Sequence, residues 1–249
     1  MPTSPLLDKP AYDVPRWSAP GVANANVIPM PGPAIGSEGL AGSQTFFRRY
    51  GKRAMDIILA VPILLLVSPI ILLAAVAVLV TSGWPVFYGA DRQGSGGRQL
   101  RVWKLRTMVR DADDIFARWK ETEPALAGKF EEEFKLEDDP RITKLGRFFR
   151  KSSLDELPQL WSVVVGTMSL VGPRPITEAE VHRYGEHAGT FLAFRPGVSG
   201  RWQLVEARNA VSYPDRIRME LEYCRSAGLR GDLRILVRTL AAPFRFDGI

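Results

Sequence analysis

Between Ile57 and Val80 the chain runs for 24 residues without one charged side chain. At ~1.5 Å per residue the run would reach ~36 Å as a straight helix, beyond the ~30 Å hydrocarbon core of a bilayer. A core helix of a soluble domain keeps a polar face over that length, so the segment predicts insertion into a membrane. Arg48, Arg49, Lys52 and Arg53 precede it, and Arg92, Arg98, Arg101, Lys104, Arg106 and Arg110 follow against Asp91 alone. Basic flanks stay on the cytoplasmic side, which one straight span cannot satisfy at both ends. At the middle stands Val67-Ser68-Pro69, with Pro62 before it. Pro69 has no N–H and crowds the carbonyl of Leu65, while the Ser68 hydroxyl can bond back to a freed carbonyl such as that of Leu64. These residues fit a re-entrant helix–break–helix that dips into one leaflet and returns; they also fit a kinked single pass.

The average composition conceals this segment, since the mean hydropathy of −0.04 resembles that of a soluble protein. A chain of 249 residues has room for one moderate domain with extensions. The single cysteine, Cys224, excludes a disulfide scaffold and a cysteine-based zinc site. His182 and His187 do not share a helical face, so any metal would be held by carboxylates. Residues 1–45, with eight prolines and five glycines, predict a disordered tail rather than a signal peptide. The expected organisation is this tail, a membrane segment with its basic flank over 46–82, and a cytoplasmic catalytic part over 83–249.

Val86-Phe87-Tyr88, the Gly94-Ser95-Gly96-Gly97 cluster and Leu100-Arg101-Val102-Trp103 predict a hairpin. Residues 111–139 hold eleven acids and four bases and predict an exposed amphipathic helix without chemistry. Residues 140–249 reverse the sign, with seventeen bases and eleven acids. Arg141, Lys144, Arg147, Arg150 and Lys151 fall at helical spacing around Leu145, Phe148 and Phe149. That helix suits an anionic lipid surface or a cradle for phosphate. Ser153 and Glu156 have capping-box spacing, which predicts a helix from about 154 to Val165, ended by Gly166. Asp155 and Glu156 thus sit between a basic helix and the rigid turn Gly172-Pro173-Arg174-Pro175. Carboxylates among arginines are expected to stay ionised with lowered pKa, which suits a nucleophile or a Mg2+ ligand. The arrangement points to phosphoryl transfer on a diphosphate beside a membrane. Base-stacking aromatics are not interleaved with the basic runs, so no nucleic-acid partner is expected. Leu233 through Arg245 places apolar residues at helical spacing with arginines between, which fits ordinary core packing or, beside a membrane, an interfacial amphipathic helix, the reading favoured.

At these residues the chain resembles the bacterial sugar transferases, monotopic phosphoglycosyl transferases that initiate exopolysaccharide, capsule and O-antigen assembly. The matching stretches are Lys52-Arg53-Ala54-Met55-Asp56, Ser68-Pro69, Pro85-Val86-Phe87-Tyr88, Lys104-Leu105-Arg106-Thr107-Met108 and Asp139-Pro140-Arg141-Ile142-Thr143. Ser153-Leu154-Asp155-Glu156-Leu157-Pro158-Gln159-Leu160, Met168-Ser169-Leu170-Val171-Gly172-Pro173-Arg174-Pro175 and Arg195-Pro196-Gly197-Val198-Ser199-Gly200 continue the match. The chain departs from the family pattern at 204–207 and 224–228, away from the Asp-Glu pair.

The resemblance implies a mixed α/β, helix-rich, small membrane-associated domain with a re-entrant membrane helix, broken at Ser68 and Pro69, and interfacial amphipathic helices. It implies transfer of a hexose 1-phosphate from a UDP-sugar to undecaprenyl phosphate with release of UMP, at the cytoplasmic face of the bacterial inner membrane. Asp155 would be the nucleophile, Glu156 the Mg2+ ligand, and Arg150 and Arg174 phosphate contacts. Lys104, Arg106 and Arg141 complete the expected substrate-binding set. Membrane lipid is an expected partner, a homo-oligomer is left open, and no residue selects between galactose and glucose.

Overall fold

The computed structural model describes residues 50–133, 136, 139–205 and 211–239. The expected tail over 1–45, Arg48 and Arg49 of the basic flank, the departure at 206–207 and the C-terminal stretch beyond Thr239 lie outside the described residues.

The apolar run forms α1 (Lys52–Ser82), helical through both Pro62 and Pro69. The Ser68 hydroxyl donates to the Leu65 carbonyl at 2.8 Å. Leu65, not Leu64, is the carbonyl that Pro69 leaves without its N–H partner, so the anticipated break is bridged instead of opening into non-helical residues. The middle of α1 is exposed, with Leu65, Leu66, Ile70, Leu72 and Leu73 facing outward, whereas both ends are tied to one body. At the start, Lys52 pairs with Asp232 at 2.8 Å and Arg53 donates to the carbonyls of Val163 and Val164. Asp56 accepts from the Ser169 hydroxyl and the Leu170 N–H, both at 3.0 Å. At the end, Ala74 and Val78 pack with Val86, Leu105 and Phe149, and the Arg106 guanidinium donates to the carbonyls of Ser82 and Gly83.

The expected hairpin is present as β1 (Phe87–Gln93) and β2 (Gln99–Leu105), antiparallel from Phe87↔Leu105 to Gln93↔Gln99. Gly96 and Gly97 take φ of +73° and +71° in its turn, a left-handed region open to glycine at little cost. The acidic block forms two helices where one was expected, α2 (Ala112–Thr122) and α3 (Pro124–Glu133), because Pro124 starts a new helix. Trp119, Ala127 and Leu136 make a small separate core there.

The basic helix α4 (Lys144–Ser152) is capped by the Thr143 hydroxyl, which accepts from the Gly146 N–H, so Arg141 lies in the turn before it. A capping box at Ser153 does not form. Ser153 closes α4 at φ 57°, its N–H bonded to Arg150 and Phe149 carbonyls, whereas an N-cap needs extended backbone. A 3-10 turn, Leu154–Glu156, follows, and α5 (Gln159–Val165) begins five residues later than expected and ends at Gly166 as expected.

Beyond it, β3 (Ser169–Val171) pairs in parallel with β4 (Gly197–Ser199). Between them lie the short helices α6 (Glu178–Val181) and α7 (Ala188–Leu192). The chain closes with α8 (Tyr213–Ser226) and α9 (Leu229–Thr239). The main core joins Ala60 of α1 to Leu100, Val102, Leu160, Val163, Met168, Leu170, Val171 and Tyr223. Along α9, Leu229, Leu233 and Val237 are exposed at intervals of four, while Ile235 and Leu236 turn to this core.

Candidate active site

Ser153 is the only described non-glycine residue with positive φ, and it sits directly before the Asp155-Glu156 pair. A serine held there costs on the order of 1–3 kcal/mol, a strain that packing around it must offset. Leu154 is anchored against Phe149, Leu105 and Val78. The reversal of the chain then carries Asp155 inward, to 6% exposure, and Glu156 toward a small solvent-open cavity.

That cavity is walled by Lys104 from β2, Glu156, Gln159 at the start of α5, Arg174, and Arg92 and Gln203. Lys104 Nζ donates to Glu156 Oε1 at 2.6 Å. Arg174 reaches it from a loop positioned by backbone packing. The Gly197 N–H donates to the Pro173 carbonyl at 2.8 Å and the Gly172 N–H to Ser199 at 2.9 Å. A Cβ on Gly197 would lie 2.1 Å from the Gly172 nitrogen, so this crossing requires glycine. The Arg174 N–H donates to Glu220 Oε1 at 3.2 Å, and its guanidinium lies 5.4 Å from the centre of the Trp202 ring, which also takes Arg216 at 4.8 Å.

The carboxyl of Asp155 is pushed up to about 6, against the expected lowering. Burial is the leading cause; Lys104 and Arg150 pull it down, and the Glu156 charge pushes it up. Surrounding arginines do not win because the carboxyl has left water. Its Oδ1 is buried without a hydrogen-bond partner. Glu220, also fully buried, is pushed up to about 7 by burial, opposed by Arg216 and by the Arg174 N–H and charge.

The remaining expected residues separate. Arg150 Nε donates to the Thr107 hydroxyl at 2.9 Å, and its charge acts on Asp155. Arg106 is committed to the end of α1. Arg141 forms a two-pronged pair with Asp139, at 2.9 and 2.7 Å, inside a cage of Phe116, Trp119 and Phe130. Of the expected residues only Lys104, Glu156 and Arg174 line the cavity; Asp155, Arg150, Arg106 and Arg141 do not. Ser68 and Pro69 lie on the exposed middle of α1. In the sequence Arg92 stands out only as a basic flank and Gln159 only within a matching stretch, and neither they nor Gln203 carry a spacing signal for the site. The sequence reading missed the role of Asp56, although an acid opening an apolar run has to find a partner.

Among the described residues no group of three or more His, Cys, Asp or Glu side chains could cage a metal. The donor chemistry nevertheless fits Mg2+, which is held through one or two carboxylates together with substrate phosphates and water. Glu156 at the cavity, next to the orphaned oxygen of Asp155, is such a donor.

Residues 47–245 match the model of the bacterial sugar transferases. The UDP-galactose-lipid carrier transferase of Erwinia amylovora is 40% identical over 200 residues, covering 80% of this chain and 42% of its own. Exopolysaccharide production protein ExoY of Sinorhizobium fredii is 39% identical over 191 residues, covering 77% of this chain and 84% of its own. The UDP-glucose:undecaprenyl-phosphate glucose-1-phosphate transferase of Escherichia coli K12 is 34% identical over 201 residues, covering 78% and 40%. The chain thus spans about two-fifths of the first of these relatives and most of ExoY. A match this long, through every stretch that builds the Asp155-Glu156 turn, places the chain in the bacterial sugar transferase family.

Proposed function

We propose that the protein transfers a hexose 1-phosphate from a UDP-sugar to undecaprenyl phosphate, releasing UMP, as the first membrane step of exopolysaccharide, capsule or O-antigen synthesis. The observation that carries this reading is the turn that sets Glu156 in a cavity walled by Lys104 and Arg174 and leaves the adjoining Asp155 with a buried, unpaired Oδ1. Relatives named as undecaprenyl-phosphate galactose phosphotransferase and as glucose-1-phosphate transferase support the substrate class and leave the sugar open.

In this mechanism Asp155, ionised and poorly solvated, attacks the phosphorus that bears the sugar. The bond from that phosphorus to the UMP oxygen breaks, and UMP leaves with the electron pair. A phosphate oxygen of undecaprenyl phosphate then attacks the same phosphorus and Asp155 departs as carboxylate. Lys104 and Arg174 neutralise the diphosphate at the cavity wall, and Arg150 holds the Asp155 charge. Glu156 would hold Mg2+, which supplies charge neutralisation of the diphosphate oxygens when bound.

The placement is the cytoplasmic face of the bacterial inner membrane, with α1 re-entrant. Both ends of α1 are bonded to one polar body while its apolar middle is exposed, an arrangement that supports a dip into one leaflet and disfavours opposite exits. The exposed stripe of α9 supports an interfacial position for that helix. Purified protein given Mg2+, a UDP-sugar and undecaprenyl phosphate is expected to release UMP. No release from any donor in a panel of UDP-sugars overturns the reading. Cysteines placed at 45 and 84 are expected to label from the same side of the membrane, and opposite-side labelling excludes re-entry.

A further inference from the structure

Two carboxamides share the cavity wall with the charged residues. Gln159 is 2% exposed and its Nε2 has no hydrogen-bond partner. The Gln203 Oε1 is likewise buried without a partner. Each is held in place. Gln159 opens α5 three residues after Glu156, within the buried face that includes Leu160 and Val163. A Cβ on Gly200 would meet Gln203 Oε1 at 2.5 Å, so the absence of a side chain there makes room for the Gln203 carboxamide. Buried polar atoms are nearly always paired, and the two residues that carry these orphans both line one cavity, which calls for a ligand with polar groups of its own.

We infer that Gln159 and Gln203 are specificity-determining residues that read the hydroxyl groups of the donor's sugar. The inference rests on the phosphoglycosyl transfer proposed above. The sugar is the group bonded to the phosphorus that Asp155 attacks, hence the part of the donor nearest the Asp155-Glu156 turn from which Gln159 extends. A carboxamide carries both donors and an acceptor, as a hydroxyl does, so a facing pair can fix the position of each sugar hydroxyl. Among the described residues none lining the cavity is aromatic.

The test is steady-state UMP release by the full chain for UDP-galactose, UDP-glucose and their deoxy analogues. Gln159→Ala and Gln203→Ala are expected to lower kcat/KM for the preferred donor by about 10–100-fold and to flatten its advantage over the deoxy analogues. Gln159→Glu and Gln203→Glu, which keep the shape and remove the amide donors, are expected to flatten the same ratios, with thermal unfolding in detergent checking that they fold. Inhibition by UMP alone is expected to be unchanged in all four. Unchanged donor ratios overturn the inference while leaving the transfer reaction standing. Weakened UMP inhibition with unchanged ratios reassigns the pair to the nucleotide and also overturns it. A parent protein that releases no UMP from any donor overturns the transfer reading, and the inference with it.

Discussion

Lys104 and Glu156 lie 52 positions apart in the chain and meet at 2.6 Å, so strand β2 supplies the counter-charge to the turn that carries the Asp-Glu pair. The ammonium serves two carboxylates, because its charge also acts on Asp155. Exchange of Lys104 for methionine keeps much of the side chain's apolar stem and removes its charge. With burial unopposed by Lys104, the Asp155 carboxyl rises beyond about 6. The acid limb of the pH profile of kcat/KM for UMP release is therefore expected to move to higher pH in Lys104→Met. A limb that stays in place would separate Lys104 from the titration of Asp155.

Asp155→Asn is expected to abolish UMP release, by a factor of about a thousand or more, and at the same time to stabilise the fold. The folded carboxyl titrates near 6 and an unfolded aspartate near ~3.9. Below the unfolded value both states are protonated; between the two values the unfolded chain ionises while the buried carboxyl does not, so stability falls, and the loss, on the order of 2–3 kcal/mol, is complete once pH passes the folded value. The melting temperature of Asp155→Asn should exceed that of the parent at pH 7 and converge with it near pH 4. Equal gain at both pH values would contradict the assigned ionisation.

Arg141 and Asp139 are both almost fully buried, and their pair is seated among three aromatic rings that join α2 and α3 to the main body. Loss of one partner strands the other charge, so Arg141→Met is expected to cost about 3–5 kcal/mol in urea unfolding. Burial pushes the Asp139 carboxyl up, but hydrogen bonds and charge from Arg141 outweigh it and hold the carboxyl below its ordinary value. The contribution of the pair is therefore present above the unfolded value and fades as pH falls through the lowered one. Lysine at 141 is not expected to rescue, because it lacks the planar fork.

Asp56 is fully buried and bonds the start of α1 to the Ser169 hydroxyl and the Leu170 N–H. Asp56→Ala leaves the Leu170 N–H unsatisfied, while the Ser169 hydroxyl keeps the Val171 carbonyl at 2.9 Å, and a loss of about 1–3 kcal/mol is expected in thermal or denaturant unfolding in detergent. Asp56→Asn keeps one acceptor and should recover part of it. If both variants unfold with the parent, the joint between membrane helix and core is not made by this residue.

Period and punctuation made several elements legible from residue order alone. The uncharged run dictated α1, the glycine cluster dictated the hairpin, and Gly166 ended α5, because each depends on neighbours within a few positions. The adjacency of Asp155 and Glu156 was equally visible, as was the basic helix before them.

What residue order left undecided is what those side chains meet. Ser153 and Glu156 have the spacing of a capping box, yet Ser153 is taken up by the end of α4, and Glu156 turns to a lysine from another strand. Arg106 and Arg141 look like phosphate ligands in a linear reading, and the fold spends one on the end of α1 and the other on Asp139. The Asp155 carboxyl shifts upward, and no count of nearby arginines could show it, since desolvation depends on how many chain segments close over the group. Covalent neighbours set secondary structure and the membrane run. Burial, ion pairing and the unpaired amides of Gln159 and Gln203 arise only when segments 50 to 110 residues apart are brought into contact, because water is excluded by the assembled body and not by any one stretch of it.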